Sequence, residues 1–169
     1  MATVNLSDYK PLNIKNAEDF SIGIVFSEWN NFVTEPLKNG AVETLIKEGV
    51  LEKNIKVFKV PGAFELNYAA MQMCKEKRFD AVIAIGCVIR GETPHFDYVC
   101  SAVAHGIKDC NILTDTPTIF CVLTDDTKEQ SIARSGGELG NKGVEAAVTA
   151  LQMIDFKRNL FIKPSHIGF

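Results

Sequence analysis

Residues 81–99 read AVIAIGCVIRGETPHFDYV, and the first five of them decide the fold. AVIAI (81–85) carries no polar side chain to turn toward water on either side. A strand of that kind is buried on both faces, as in a parallel sheet between two helix layers. Three further runs read as apolar strands without polar alternation: FSIGIVF at 20–26, IKVFKV at 55–60 and TIFCVL at 118–123. Longer stretches with helical spacing lie between them. Leu37, Ala41 and Leu45 step by four, and Val144, Val148, Leu151 and Ile154 step by four, three and three. Each set falls on one helix face. The order β-α-β-α-β-α-β-α-α predicts an α/β domain, a three-layer α/β/α sandwich around a four-stranded parallel sheet with right-handed crossovers.

The whole chain is compatible with that one domain. Its 169 residues leave little room for a second. An apolar share of 46% against 23% charged excludes global disorder. A net charge of −3 argues against nucleic-acid binding as the main task, because phosphate neutralisation needs a basic face. No run of about 18 apolar residues is present to span a membrane. The first twenty residues lack the basic start and apolar run of a secretory signal. Cysteines 74, 87, 100, 110 and 121 form no C-x-x-C and pair with no histidine at zinc-ligand spacing. They read as small buried hydrophobes in a reducing cytosol, so a cytoplasmic protein without a metal site is expected.

The ends differ from the middle. Residues 1–19 hold few apolar side chains and are expected to form an arm. Its ATVNL stretch (2–6) either adds a strand to a neighbouring subunit's sheet edge or stays unordered. The domain proper is expected over 20–158. A short surface tail with Pro164 and Gly168 is expected over 159–169.

Ligands of open parallel sheets bind beyond the carboxyl ends of the strands, and polar residues gather there. The first such loop holds Ser27-Glu28-Trp29-Asn30, with the sole tryptophan of the chain. Trp29 either stacks on a flat heteroaromatic ligand or covers the helix start, and Asn30 or Asn31 is a candidate N-cap. The second loop, Pro61-Gly62-Ala63-Phe64-Glu65, forces a tight turn into a helix whose first N–H groups can hold hydroxyls or an anion. Glu65 either complements the helix dipole or accepts hydrogen bonds from a polyol.

The third loop follows Gly86. Gly91 and Thr93 precede a helix and offer N–H groups to a phosphate, although neither a Walker A nor a Rossmann fingerprint is present. Of the histidines at 95, 105 and 166, His95 alone falls in the crevice, where it suits proton transfer near neutral pH. Asp97 either orients it or favours the helix start. Cys87, just past the predicted strand end, leaves open a cysteine hydrolase or amidotransferase, although Val88 and Ile89 do not suit a nucleophile elbow. The fourth loop, Thr124-Asp125-Asp126-Thr127, reads as helix capping. Arg134 and Lys142 flank a glycine-rich turn and suit phosphate.

VPGAFEL at 60–66, GCVIRGETPHFDYV at 86–99, TIFCVLT at 118–124 and GNKGVEAA at 140–147 resemble, in order, the lumazine synthase family of riboflavin biosynthesis. The likeness runs from about Ile22 to Leu151. With it goes an open, flavodoxin-like sheet and a transferase without metal or redox cofactor. The family condenses 5-amino-6-(D-ribitylamino)uracil with 3,4-dihydroxy-2-butanone 4-phosphate to 6,7-dimethyl-8-ribityllumazine, phosphate and water. The resemblance places Trp29 where the family usually stacks a phenylalanine on the pyrimidine, with Asn30 beside it. Ala63, Phe64 and Glu65 match the ribityl-binding turn. Cys87, Val88 and Ile89 match the pyrimidine-edge segment, where a backbone role lets a cysteine stand. Glu92 and Thr93 match the phosphate loop. His95 matches the proton-transfer histidine, Arg134 the phosphate-binding arginine and Lys142 a lysine near the phosphate. Phe120 and Arg134 match residues supplied by the adjacent subunit.

The resemblance further implies pentamers with active sites between subunits. The short RSGGELGNK turn (134–142) favours stacking of pentamers into an icosahedral shell, with riboflavin synthase as a functional partner. A non-catalytic shell protein that binds flavin or lumazine is the alternative. Retention of His95 and Arg134 speaks against it, because ring binding alone needs neither.

Overall fold

The computed structural model describes residues 5–160. Four strands, β1 (Ile22–Ser27), β2 (Ile55–Val60), β3 (Ala81–Ile89) and β4 (Thr118–Asp125), form a parallel sheet in the order β2-β1-β3-β4. Five α-helices complete the layers: α1 (Asn31–Lys47), α2 (Leu66–Lys75), α3 (His95–Thr114), α4 (Lys128–Arg134) and α5 (Lys142–Leu160). A small antiparallel hairpin, β5 (Ser135–Gly137) with β6 (Gly140–Asn141), joins α4 to α5.

The two faces of the sheet follow from strand periodicity. Odd-numbered residues of β3, such as Ile83, Ile85 and Cys87, pack with Leu37, Leu45, Leu151 and Ile154 of α1 and α5. Even-numbered Val82 and Ala84 pack with Leu66, Ala70, Val103 and Ile107 of α2 and α3. Burial on both faces is what AVIAI requires, and the predicted three-layer architecture is the result.

Several local expectations are corrected. β3 continues four residues beyond Ile85, pairing Cys87 with Leu123 and Ile89 with Asp125. Gly86 therefore lies inside the strand. A Cβ there would come within 2.9 Å of Leu66 Cδ1, so the glycine admits the start of α2. β2 is not buried on both faces. It is an edge strand, Val57 and Phe58 are exposed, and Lys56 and Lys59 mark it as one. In α5 the buried face is Gly143, Ala146, Ala147, Ala150, Leu151 and Ile154, while Val144 and Val148 are only half-buried. The reason is close helix approach. A Cβ on Gly143 would collide with the Leu37 carbonyl of α1, so small residues occupy the contact. Cys100 is half-buried, unlike the four other cysteines.

The described part of the arm forms no strand but is tied down. Ser7 Oγ donates to the Asn141 carbonyl at 3.1 Å and accepts from the Asn141 N–H at 2.7 Å. Tyr9 Oη and the Leu12 N–H donate to the Glu48 carboxylate at 3.0 and 3.1 Å. Residues 1–4, with most of ATVNL, lie outside the described residues. So do 161–169 of the expected tail, while Asn159 and Leu160 close α5. Among the described residues, no helix is long and apolar enough to cross a membrane.

Candidate active site

Between β1 and β3 the strand order changes direction, and ligands of such sheets bind beyond the carboxyl ends at that point. A cavity of about 690 Å³ opens there. Trp29, Asn30, Ala63, Phe64, Glu65, Cys87, Val88, Ile89 and His95 line it, together with Tyr98, Val99 and Ala102. Its volume suits a small organic ligand, and its lining is apolar with a few polar groups. A second cavity of about 610 Å³, lined by Lys77, Asp115 and Lys157 among others, lies at the opposite ends of the strands.

Each wall has a local cause. The N–H groups of Glu28 and Trp29 donate to the carbonyls of Val60 and Pro61 at 2.8 and 3.0 Å, extending the β1–β2 ladder past the strands. The indole lies on Gly62, where a Cβ would come within 2.6 Å of Trp29 Cε3. Trp29 is 66% exposed and so offers ring surface to the cavity. Asn30 occupies the N-cap position of α1 but makes no capping hydrogen bond with its side chain. Its backbone is left-handed (φ 58°), and its Nδ2 instead donates to the Cys87 carbonyl at 3.0 Å. The expected cap is thus a tie between the ends of β1 and β3. Glu65 Oε2 accepts the Gly62 N–H at 3.0 Å, so this carboxylate closes its own turn and takes up one donor expected to be free for ligand.

Cys87 is a strand residue, not an elbow. Its buried thiol donates to Ser131 Oγ at 3.5 Å. Burial pushes the thiol up to about 11, with a smaller upward push from the Asp125 charge and a downward one from Ser131. A buried strand thiol bonded to Ser131 does not suit a nucleophile, which speaks against the cysteine-hydrolase reading.

His95 opens α3 and is exposed at the cavity. Asp97 does not orient it. Asp97 accepts a fork from Arg90, Nη2 to Oδ1 at 3.1 Å and Nη1 to Oδ2 at 3.3 Å. Arg90 also donates from Nε to Asp126 at 2.7 Å and lies 4.1 Å from the Phe96 ring centroid. Glu92 and Thr93 are exposed in the loop leading to His95, and a Cβ on Gly91 would meet nothing within 4 Å. The sequence reading gave no role to Arg90, Tyr98, Val99 or Ala102. The helical steps from His95 through Tyr98 and Val99 to Ala102 were the signal for the last three.

Phe120, Arg134 and Lys142 do not join this cavity. Phe120 stands 43% exposed on β4, the other edge of the sheet. With Lys142 it lines a separate cavity of about 620 Å³. Lys142 Nζ pairs with Glu145 at 2.7 Å. Arg134 ends α4, where its Nη1 donates to the Gln130 carbonyl at 2.9 Å and its Nε lies 3.8 Å from Asp125. Of the TDDT stretch only Thr127 caps α4, in a reciprocal capping box with Gln130.

The sequence model of the 6,7-dimethyl-8-ribityllumazine synthase family matches residues 19–158. The chain belongs to that family. A 6,7-dimethyl-8-ribityllumazine synthase of Flavobacterium johnsoniae is 57% identical over 149 residues, covering 88% of this chain and 78% of the relative. One of Flavobacterium psychrophilum is 55% identical over 152 residues, covering 90% and 80%. One of Phocaeicola vulgatus is 53% identical over 162 residues, covering 95% and 96%. For a lumazine synthase family member the matched span runs from just before β1 to near the end of α5 and includes every candidate residue from Trp29 to Lys142. Among the described residues, no group of three or more histidine, cysteine, aspartate or glutamate side chains is placed to hold a metal ion. The cavity offers a stacking ring, backbone polar groups at a strand end and one imidazole. The cations stand elsewhere.

Proposed function

We propose that the chain condenses 5-amino-6-(D-ribitylamino)uracil with 3,4-dihydroxy-2-butanone 4-phosphate to 6,7-dimethyl-8-ribityllumazine, phosphate and water, as a transferase of riboflavin biosynthesis. The observation that carries this reading is the convergence of Trp29, Asn30, Ala63–Glu65, Cys87–Ile89 and His95 on one cavity in a chain of this family. The pyrimidine stacks on Trp29, with Asn30 beside it and the ends of Cys87–Ile89 along its edge. The ribityl chain lies along Ala63, Phe64 and Glu65. His95 moves protons as the amine and ketone form an imine, phosphate leaves and the second ring closes. Glu92 and Thr93 present N–H groups to the phosphate, with the Glu92 carboxylate turned to water. The names of the relatives favour this enzyme over a non-catalytic shell protein.

The remaining groups come from a second copy. Phe120, Arg134 and Lys142 are displaced from the cavity of their own chain, which supports a site closed by a neighbour's edge strand and α4–α5 turn. The family resemblance supports reading the assembly as a cytoplasmic homopentamer, with pentamers stacked into an icosahedral shell and riboflavin synthase as functional partner. The test mixes the purified, assembled protein with both substrates and follows lumazine by absorbance against an enzyme-free control. Accelerated formation is expected. An uncatalysed rate from folded, assembled protein overturns the proposal.

A further inference from the structure

The stretch Thr124-Asp125-Asp126-Thr127 starts a helix, yet the helix uses only part of it. Thr127 supplies the cap, and the Asp126 and Thr127 N–H groups go to Gln130 Oε1. Neither aspartate carboxylate takes part. We propose that both are positioning residues for the condensation: Asp125 sets the guanidinium of Arg134, and Asp126, through Arg90, sets the His95-bearing start of α3. This rests on the site reading given above.

Successive residues at the end of a strand point to opposite faces of the sheet. Asp125 follows Cys121 and Leu123 onto the face of α1 and α5. It is only 8% exposed, and a carboxylate held there needs partners. Ser131, itself fully buried, donates Oγ to Asp125 at 2.8 Å, and Arg134 Nε lies 3.8 Å away. The Nη1 hydrogen bond to the Gln130 carbonyl and the ion pair of Nε with Asp125 together restrict the planar guanidinium. Its Nη2 is unbonded among the described residues and is the end left for an anion.

Asp126 faces the α3 side. There it accepts Arg90 Nε at 2.7 Å, while the two terminal nitrogens of Arg90 hold Asp97 and its plane lies over Phe96. Single exposed ion pairs contribute little. Here three contacts meet on one guanidinium, and two of them grip the residues immediately after His95. The Arg90 N–H closes the arrangement by donating to the Asp125 carbonyl at 3.0 Å. One dipeptide thus reaches Arg134 on one face and, through Arg90, the residues that follow His95 on the other.

Steady-state kinetics on the assembled full chain, varying each substrate in turn, test this. Asp125→Asn is expected to raise KM for the phosphorylated ketone about tenfold, the scale of one lost contact to a charged group, with the pyrimidine KM within about twofold. Asp126→Asn is expected to lower kcat about tenfold with both KM values nearly unchanged, and Asp126→Glu to recover most of the loss. Should Asp126→Asn fail to assemble, Arg90→Lys is expected to give the same loss in kcat, because it keeps the charge without the fork. Arg134→Ala and His95→Ala run in parallel. If those two behave as wild type, the site reading fails and the proposal falls with it. If they are impaired while the aspartate variants behave as wild type, the positioning proposal alone is overturned. Equal losses in kcat and both KM values, with a lowered Tm, would make the aspartates merely structural and overturn it too.

Discussion

Around the ends of β1 and β3, nine candidate residues from Trp29 to His95 line a cavity of about 690 Å³. Elsewhere, Phe120 stands on the open edge of β4, with Arg134 at the end of α4 and Lys142 at the start of α5, their charges held by Asp125 and Glu145. The first region lies where strands flank it on both sides, its strand ends tied by Asn30 and the turn after β2 closed by Glu65. The second has a strand on one side only. A parallel sheet completes a pocket at its interior crossover, whereas at its edge it offers half a pocket. On this account the pyrimidine and its ribityl chain lie in the region one chain lines, and the cations for the phosphate come from a second chain.

The comparison can be broken at either region. His95→Ala is expected to have the largest effect, lowering kcat by about two orders of magnitude, the lower end for a general acid–base residue. Unchanged turnover would take His95 out of the mechanism. Arg134→Ala comes next, raising KM for the phosphorylated ketone about tenfold and leaving the pyrimidine KM nearly as it was. Equal effects on both substrates would instead indicate a damaged interface. Trp29→Phe is expected to change the pyrimidine KM by no more than about threefold, since a smaller ring still stacks. A complete loss of binding would show that the indole does more than stack. Smallest of all, Cys87→Ser is expected to leave turnover within about twofold, because the thiol is buried and neutral at pH 7. In the wild-type protein the Cys87 thiol, followed by peptide mapping, should resist alkylation in the native state at pH 8 and react once the chain is unfolded. Rapid native labelling would contradict the burial argument.

Much of this was legible in the chain and some was not, for physical reasons. The starts of β2, β3 and β4 coincide with their apolar runs. The end of β3 was missed because Gly86 reads as a breaker, whereas it makes room for Leu66, and the β-branched Val88 and Ile89 carry the strand on. The exposure of β2 depends on its place in the sheet, which only Lys56 and Lys59 hinted at. In α5 the periodicity found a helix but chose valines over alanines, because the stripe that is buried depends on how closely α1 approaches. Strand-end loops disclosed Trp29, Glu65 and His95 as a group. The separate placement of Phe120 and Arg134 had no signature in spacing and came from the family resemblance, and that of Lys142 came from the structure. Asn30 looked like a cap, since nothing local reveals that its amide crosses to β3.

The most direct test of a site shared between two chains is complementation. His95→Ala and Arg134→Ala proteins would be unfolded, mixed in equal amounts, refolded together and assayed for lumazine formation. If His95 and Arg134 of one site come from different chains, roughly a quarter of all interfaces in the mixture regain both residues, and activity at a ketone concentration well below KM should rise above that of either variant refolded alone. If both residues act within one chain, every site keeps one defect, and activity no higher than the average of the two variants would contradict the account.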